Sequence, residues 1–349
     1  MKKILALILA MALSLTLVAC GGGSNPSGGN DTPSGGDSNK TYTLQMTCNQ
    51  ADLPVLGDYQ EKINKATNGR VTIEFVDLTS LGTPPDALGM VRDGTIDIYY
   101  NSAAQTGSDF PVMDVFQLPF YSTNPTEGTD MINAVWRAGY LDKELADFQP
   151  MFMYSTDMQM IFSAKPVSAL SDLAGKKIRA TSGVGASLVE RIGATVMTMP
   201  LGDVYLSLDT GVVDAAMSSP VMIRSQAFNE CAPYLVNTYL FGGVIMMIMN
   251  KDTWNSLPAD IQTIFLEVNE EHANWSKWQQ TEAMLENIDY LTSNGMTLVD
   301  LSEADVAAMQ AACEPLTQEW IDKVDALGYN GQEIIDYIQT VLSYYRLGM

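Results

Sequence analysis

A chain of 349 residues with 46% hydrophobic content can fill two ordinary domains and needs no staples to fold. It carries 41 acidic against 19 basic side chains, a formal charge of -22, which repels phosphate backbones and argues against nucleic acid as a partner. An anionic small molecule is repelled at long range as well, so a site for one must be a local positive spot, built from only seven arginines.

The first twenty residues stand apart from the fold. Lys2 and Lys3 precede an apolar run, residues 4–18, which is too short for a membrane span. The run closes on Leu17-Val18-Ala19-Cys20, which resembles the bacterial lipoprotein signal, whose cysteine becomes the lipid-bearing first residue of the mature protein. Cys20 is then a membrane anchor, neither a disulfide partner nor a metal ligand. An ordinary cleaved secretion signal is the other reading, and it leaves the compartment extracytoplasmic. Without Lys2 and Lys3 the formal charge is -24, that is, -22 minus 2. Residues 21–40 are nearly all Gly, Ser, Pro, Asn and Asp, cannot bury a core, and read as a flexible tether.

From residue 42 the pattern alternates strand and helix. Strands are expected at 42–46, 71–76 and 95–100, with helices at 55–67 and 86–92 closed by Asn68-Gly69 and Asp93-Gly94. This is the signature of a parallel sheet with crossover connections. Its loops after the first strand (Asn49) and the third (Asn101 to Gln105, including Ser102) would meet at one edge. Residues 110–120, FPVMDVFQLPF, read as an apolar wall, 129–145 as a helix, and 151–164 as a strand or two.

The segment 170–220 opens a second α/β unit. Residues 176–181 have strand character, Ser182, Gly183 and Gly185 break it, and 186–192 has helical spacing. Arg179 therefore sits near the carboxyl end of a strand that feeds a helix, the edge where open α/β sheets bind ligands. A guanidinium is a planar fork of donors matched to both oxygens of a carboxylate. The competing reading is a structural salt bridge to Asp172 or Asp203. A helix is expected over 221–229, and the apolar run 241–250, FGGVIMMIMN, reads as a buried central strand.

Residues 257–295 then show three- and four-residue apolar steps from Ile261 to Leu291. A helix of about 33 residues spans about 50 Å, enough to brace two domains. Helices at 302–316, 318–327 and 331–347 close the chain. Cys48, Cys231 and Cys313 lack CxxC spacing, which disfavours zinc; one disulfide is allowed, but an odd count leaves a thiol over, and buried free thiols are preferred. The only histidine, His272, has no HExxH partner and reads as a packing or surface residue. There is no GxSxG elbow.

Together DALGMVRDGTIDI, FPVMDVFQLPF, LSDLAGKKIR and IGATVMTMPLGDVYLSLDTGVVDAAMSSP resemble the solute-binding proteins of tripartite ATP-independent periplasmic (TRAP) transporters, the DctP family, over about residues 42–300. The resemblance implies an α/β, two-lobed, Venus-flytrap fold of the periplasmic-binding-protein kind with a long helix spanning both lobes. Lobe I would take 41–156 and about 244–284, and lobe II 157–243 and about 285–349. It implies a binding protein, not an enzyme, that captures a small organic acid in an interlobe cleft and delivers it to a membrane permease; no cofactor or metal site is expected from the sequence, and a monomer is expected. Arg179 falls on the family's carboxylate-binding arginine. Leu201 takes a position often aromatic, and Ser218, with Ser219 beside it, a position often an amide. Asn49, Asn101, Ser102 and Phe241 would close from the other side. Members that bind sialic acid carry a second arginine where this chain has Met158, Gln159 and Met160, which puts such a sugar acid in doubt. Two rival functions remain: a binding lipoprotein of another importer class, of the ABC type, and a dinucleotide-dependent enzyme, whose glycine fingerprint is broken here by Leu188.

Overall fold

The computed structural model describes residues 40–49, 52–181 and 183–347. The signal, Cys20 and the tether up to residue 39 lie outside them. Two sheets organise the described chain. In the first, β1 (Tyr42–Cys48) lies between β2 (Val71–Asp77) and β3 (Ile98–Ser102), parallel to both. The connections run through α1 (Leu53–Ala66) and α2 (Pro84–Arg92). Helix α2 starts where it does because Thr83 and Asp86 form a reciprocal capping box ahead of Pro84. Then α3 (Pro125–Arg137), capped by Asn124, leads to β4 (Phe148–Ser155).

The apolar run expected as a central strand is one. Strand β10 (Val244–Asn250) inserts between β3 and β4, antiparallel to both, giving the order β2-β1-β3-β10-β4. With layers on both sides it needs no polar face, which is why it holds five methionines and isoleucines in a row. It begins at Val244 rather than at residue 241, because Gly242 and Gly243 belong to the passage into it.

The second sheet holds β5 (Met160–Ser163), β6 (Lys177–Arg179), β7 (Thr195–Met197), β8 (Ala215–Ser218), β9 (Tyr234–Val236) and β11 (Thr297–Val299), in the order β11-β9-β5-β8-β6-β7. Between these strands lie α4 (Val184–Arg191), α5 (Val204–Asp209) and α6 (Pro220–Ser225). The chain passes between the sheets three times: directly from β4 to β5, back from β9 to β10, and again, after α7 (Lys251–Ser256), through α8 (Ala259–Ser293). At 35 residues, α8 is about 52 Å long. Its first third packs Ile261, Phe265 and Val268 into the first lobe, and its last third packs Met284, Ile288 and Leu291 into the second.

The two direct passages are bound together. Thr156 and Gly243 exchange bonds, and Gln159 N–H donates to Phe241 O at 2.8 Å while Leu240 N–H donates back to Gln159 O at 3.0 Å. Phe120 N–H adds a bond to Leu240 O and holds a positive φ of 67°. The Ser155 side chain fills the space between Gly128 and Gly242, where no Cβ would fit.

Several expected boundaries move. Residues 302–316 and 318–327 form one helix, α9 (Glu303–Asp325), with Pro315 inside it. Burial of Met309, Cys313, Leu316 and Trp320 along one face outweighs the lost N–H. The helix expected at 129–145 starts earlier, at its Asn124 cap, and stops before Gly139, whose φ is 86°. Helix α6 ends short of the expected 229 because Ala227 turns left-handed. The expected division puts residues 285–349 with the second lobe; α9 packs on α4, while α10 (Gly331–Arg346) packs on α3 of the first. The apolar wall at 110–120 is a chain of short turns around the 3-10 segment Met113–Gln117, held by Glu144, which accepts from Val112 N–H. Burial pushes the Glu144 carboxyl up to about 8.

Candidate functional site

Arg179 is the last residue of β6, set between β7 and β8 with Met197 and Ala216 as its register partners. It is 6% exposed. Burial depresses its pKa, since the charged form loses water. Neither acid considered in the sequence reaches it. Asp172 turns back onto the N–H groups of Ser168 and Ala169, and no ion pair to Arg179 occurs among the described residues. Its partners are main-chain carbonyls instead. Nε and Nη2 donate to Met199 O at 3.2 and 3.0 Å, and Nη1 to Met217 O at 3.5 Å. A guanidinium has five N–H donors, so two remain, enough for one bidentate carboxylate.

The same carbonyls tie Arg179 to other predicted positions. Met199 leads through Pro200 to Leu201, half-buried at the start of a 3-10 turn. Met217 precedes Ser218, buried at the end of β8, and Ser219, buried at the cap of α6. Phe241 differs from expectation. It was placed opposite the arginine, yet its ring tip, the Met217 sulfur and Thr181 Oγ1 all lie within 3.7 Å of where a Cβ on Gly185 would stand. It therefore packs on the second-lobe side, drawn there by the Gln159 main-chain bonds. Arg179, Leu201, Ser218, Ser219, Gln159 and Phe241 form one set.

Asn49, Asn101 and Ser102 form another at the carboxyl ends of β1 and β3. Asn49 Nδ2 donates to Asn101 Oδ1 at 3.4 Å, Asn101 Oδ1 accepts from Ser102 N–H at 2.8 Å, and Asn101 Nδ2 donates to Gln105 Oε1 at 3.2 Å. Asn101 and Ser102, expected in a loop, are strand residues paired with Met246 and Ile245. The loops that follow the two sets face one another. Ala104 and Gly107 after β3, with Gly183, Val184 and Ser187 at the start of α4, line a cavity of about 330 Å³ closed by Trp320 of α9. Arg179 lies off that lining, four residues before Gly183.

One residue was missed. Asp157, 7% exposed in the β4–β5 passage, accepts from Val221 N–H at 3.1 Å and from the Ser219 hydroxyl, and burial raises its carboxyl to about 6. It is the only charged residue between Asp147 and Lys165, a signal the sequence did offer. His272 is buried against Tyr59, Phe152 and Trp275, away from either set, with its pKa down to about 4 through burial. Cys48, Cys231 and Cys313 are free thiols. Leu188, where a dinucleotide fingerprint needs its third glycine, is fully buried in the core.

Two α/β lobes joined by three passages, with strand ends of both turned to a shared cleft, define a two-lobed solute-binding protein. The family model described as bacterial extracellular solute-binding protein, family 7 (DctP) matches residues 55–323, and the chain belongs to that family. It is 25% identical over 260 residues to a solute-binding protein of Roseobacter denitrificans, covering 73% of this chain and 78% of that one. It is 24% identical over 276 residues to the C4-dicarboxylate-binding periplasmic protein of Rhodobacter capsulatus, covering 77% and 82%. The crystal structure of a TRAP periplasmic solute-binding protein from Desulfovibrio salexigens superposes with a TM-score of 0.79 at 25% identity, covering 87% of this chain and 96% of that one.

Proposed function

We propose that this chain is the extracytoplasmic receptor of a TRAP transporter: it captures a small organic acid between its lobes and delivers it to a membrane permease, held to the membrane by a lipid on Cys20. The observation that carries the reading is Arg179, a buried cation at a strand's carboxyl end with donors to spare and no acid beside it. A ligand carboxylate supplies the missing counter-charge in a low-dielectric setting, where a bidentate pair is strong. Leu201 and Phe241 supply apolar walls and Ser218 a hydroxyl, while Asn49, Asn101 and Ser102 meet the ligand from the first lobe. Closure follows because the ligand touches both lobes only when they are shut, and that differential contact shifts the population. No bond is made or broken.

The test is titration calorimetry of Arg179→Ala with the acid that copurifies with the parent protein, identified by mass spectrometry. Removing one partner of a desolvated charge pair costs about 2–5 kcal/mol, so affinity is expected to fall about 30-fold or more. Unchanged affinity removes the anchor from the account.

A further inference from the structure

We infer that the ligand of this cleft carries a single carboxylate and is uncharged at its far end. The inference rests on Arg179 being the anchor and adds what the rest of the site will tolerate. Of the other six arginines, Arg70, Arg92, Arg191, Arg224 and Arg346 are engaged in ion pairs elsewhere, and Arg137 is exposed on α3. Lys176 and Lys177 stand at the amino end of β6, the edge away from the site. Among the described residues the set around Arg179 therefore holds one cation.

The other candidate site residues carry no charge. The first-lobe strand ends offer the amides of Asn49, Asn101 and Gln105. Near these strand ends lie two carboxylates, Asp52, half-buried just before α1, and Asp77 at the end of β2, both close enough to bear on the Cys48 thiol at the end of β1. The lysine on the cavity between the facing loops, Lys323, is already paired with Asp114 at 2.7 Å, with Glu319 also on the lining. On the other flank Asp157 is buried behind Ser219, accepting from the Ser219 hydroxyl, Val221 N–H and its own N–H.

A diacid gripped by Arg179 would turn its second carboxylate toward these groups. That carboxylate would lose much of its hydration, find no counter-charge, and meet carboxylates of its own sign. Amides and aliphatic walls suit an uncharged far end, whose burial is favourable through apolar area alone. The chain would thus differ in ligand class from its C4-dicarboxylate-binding relative in Rhodobacter capsulatus.

The experiment titrates the full chain by calorimetry at fixed ionic strength with straight-chain monoacids from acetate to octanoate and with benzoate. Each is compared with its diacid of the same skeleton, such as adipate for hexanoate and terephthalate for benzoate. The tightest monoacid is expected to bind at least about tenfold better than its diacid. Asn49→Lys, which sets a cation at the first-lobe edge, is expected to narrow that gap by strengthening the diacid. A diacid that binds the parent as well as its monoacid, or no binding by any monoacid, overturns the inference. Arg179→Ala run beside it separates the two readings: loss of all binding keeps the anchor even if the preference fails, and unaltered binding of both classes removes the anchor itself.

Discussion

Arg179 and Asp157 are buried and Glu144 is half-buried, none with an opposite charge in contact, and each is accommodated by main-chain dipoles. Carbonyls of Met199 and Met217 meet the guanidinium, and N–H groups of Val221 and Val112 meet the two carboxyls. For the acids this is only partial compensation, so burial raises both pKa values, Asp157 to about 6 and Glu144 to about 8. The sign follows directly. Between pH 4.5 and 8 native Glu144 holds a proton that the unfolded chain has released, so its contribution to stability falls as pH rises through that window. Asp114 adds to the upward push and Lys323 opposes it. His272, neutral and buried, acts in the other direction below pH 6.5, but does so equally in both proteins of a comparison. Glu144→Gln should therefore flatten the decline of the thermal midpoint between pH 4.5 and 8 relative to the parent, and parallel curves would refute the assignment. The place of Arg179 was legible because a strand ending in glycines is a local pattern. Its partners were not, because Met199 and Met217 arrive from the loop after β7 and from β8, 20 and 38 residues later.

At the scale of elements, the first lobe and α8 could be read because their segments are long enough to show a period. Strands β7, β9 and β11 have three residues each and show none. They exist because the sheet beside them supplies partners. The break expected between 316 and 318 is absent for a related reason: long-range burial along one face carries α9 through. The paired passages between the lobes were equally hidden, since Ser155 meets Gly128 and Gly242 only in the folded state. Gly242→Ala pushes a methyl into the Ser155 hydroxyl and should cost about 1–3 kcal/mol by denaturant unfolding. Adding Ser155→Ala should restore more than half of it in a double-mutant cycle. Simple additivity of the two changes would show that the crowding lies elsewhere.

At the scale of the molecule, an acidic body does not cling to anionic lipid by charge. None of the described helices is long and apolar enough to cross a membrane. Attachment would then depend on Cys20 alone, and Cys20→Ser should move the protein from the membrane pellet to the soluble extract; persistence in the pellet after a salt wash would count against the anchor. The lobes themselves are joined by α8, and its grip changes kind along its length. Apolar side chains fix both ends, whereas the middle is held by polar and aromatic contacts: Asn269 Oδ1 accepts from the Tyr59 hydroxyl at 2.7 Å, Lys277 pairs with Asp130 at 2.8 Å, the hydroxyls of Thr281 and Thr126 meet at 2.7 Å, and His272 lies against Tyr59 and Phe152. Each of these partners belongs to the first lobe. The rod therefore rides with that lobe as far as Thr281, and flexing of one lobe against the other falls on its far end, like a handle fixed to one half of a clasp.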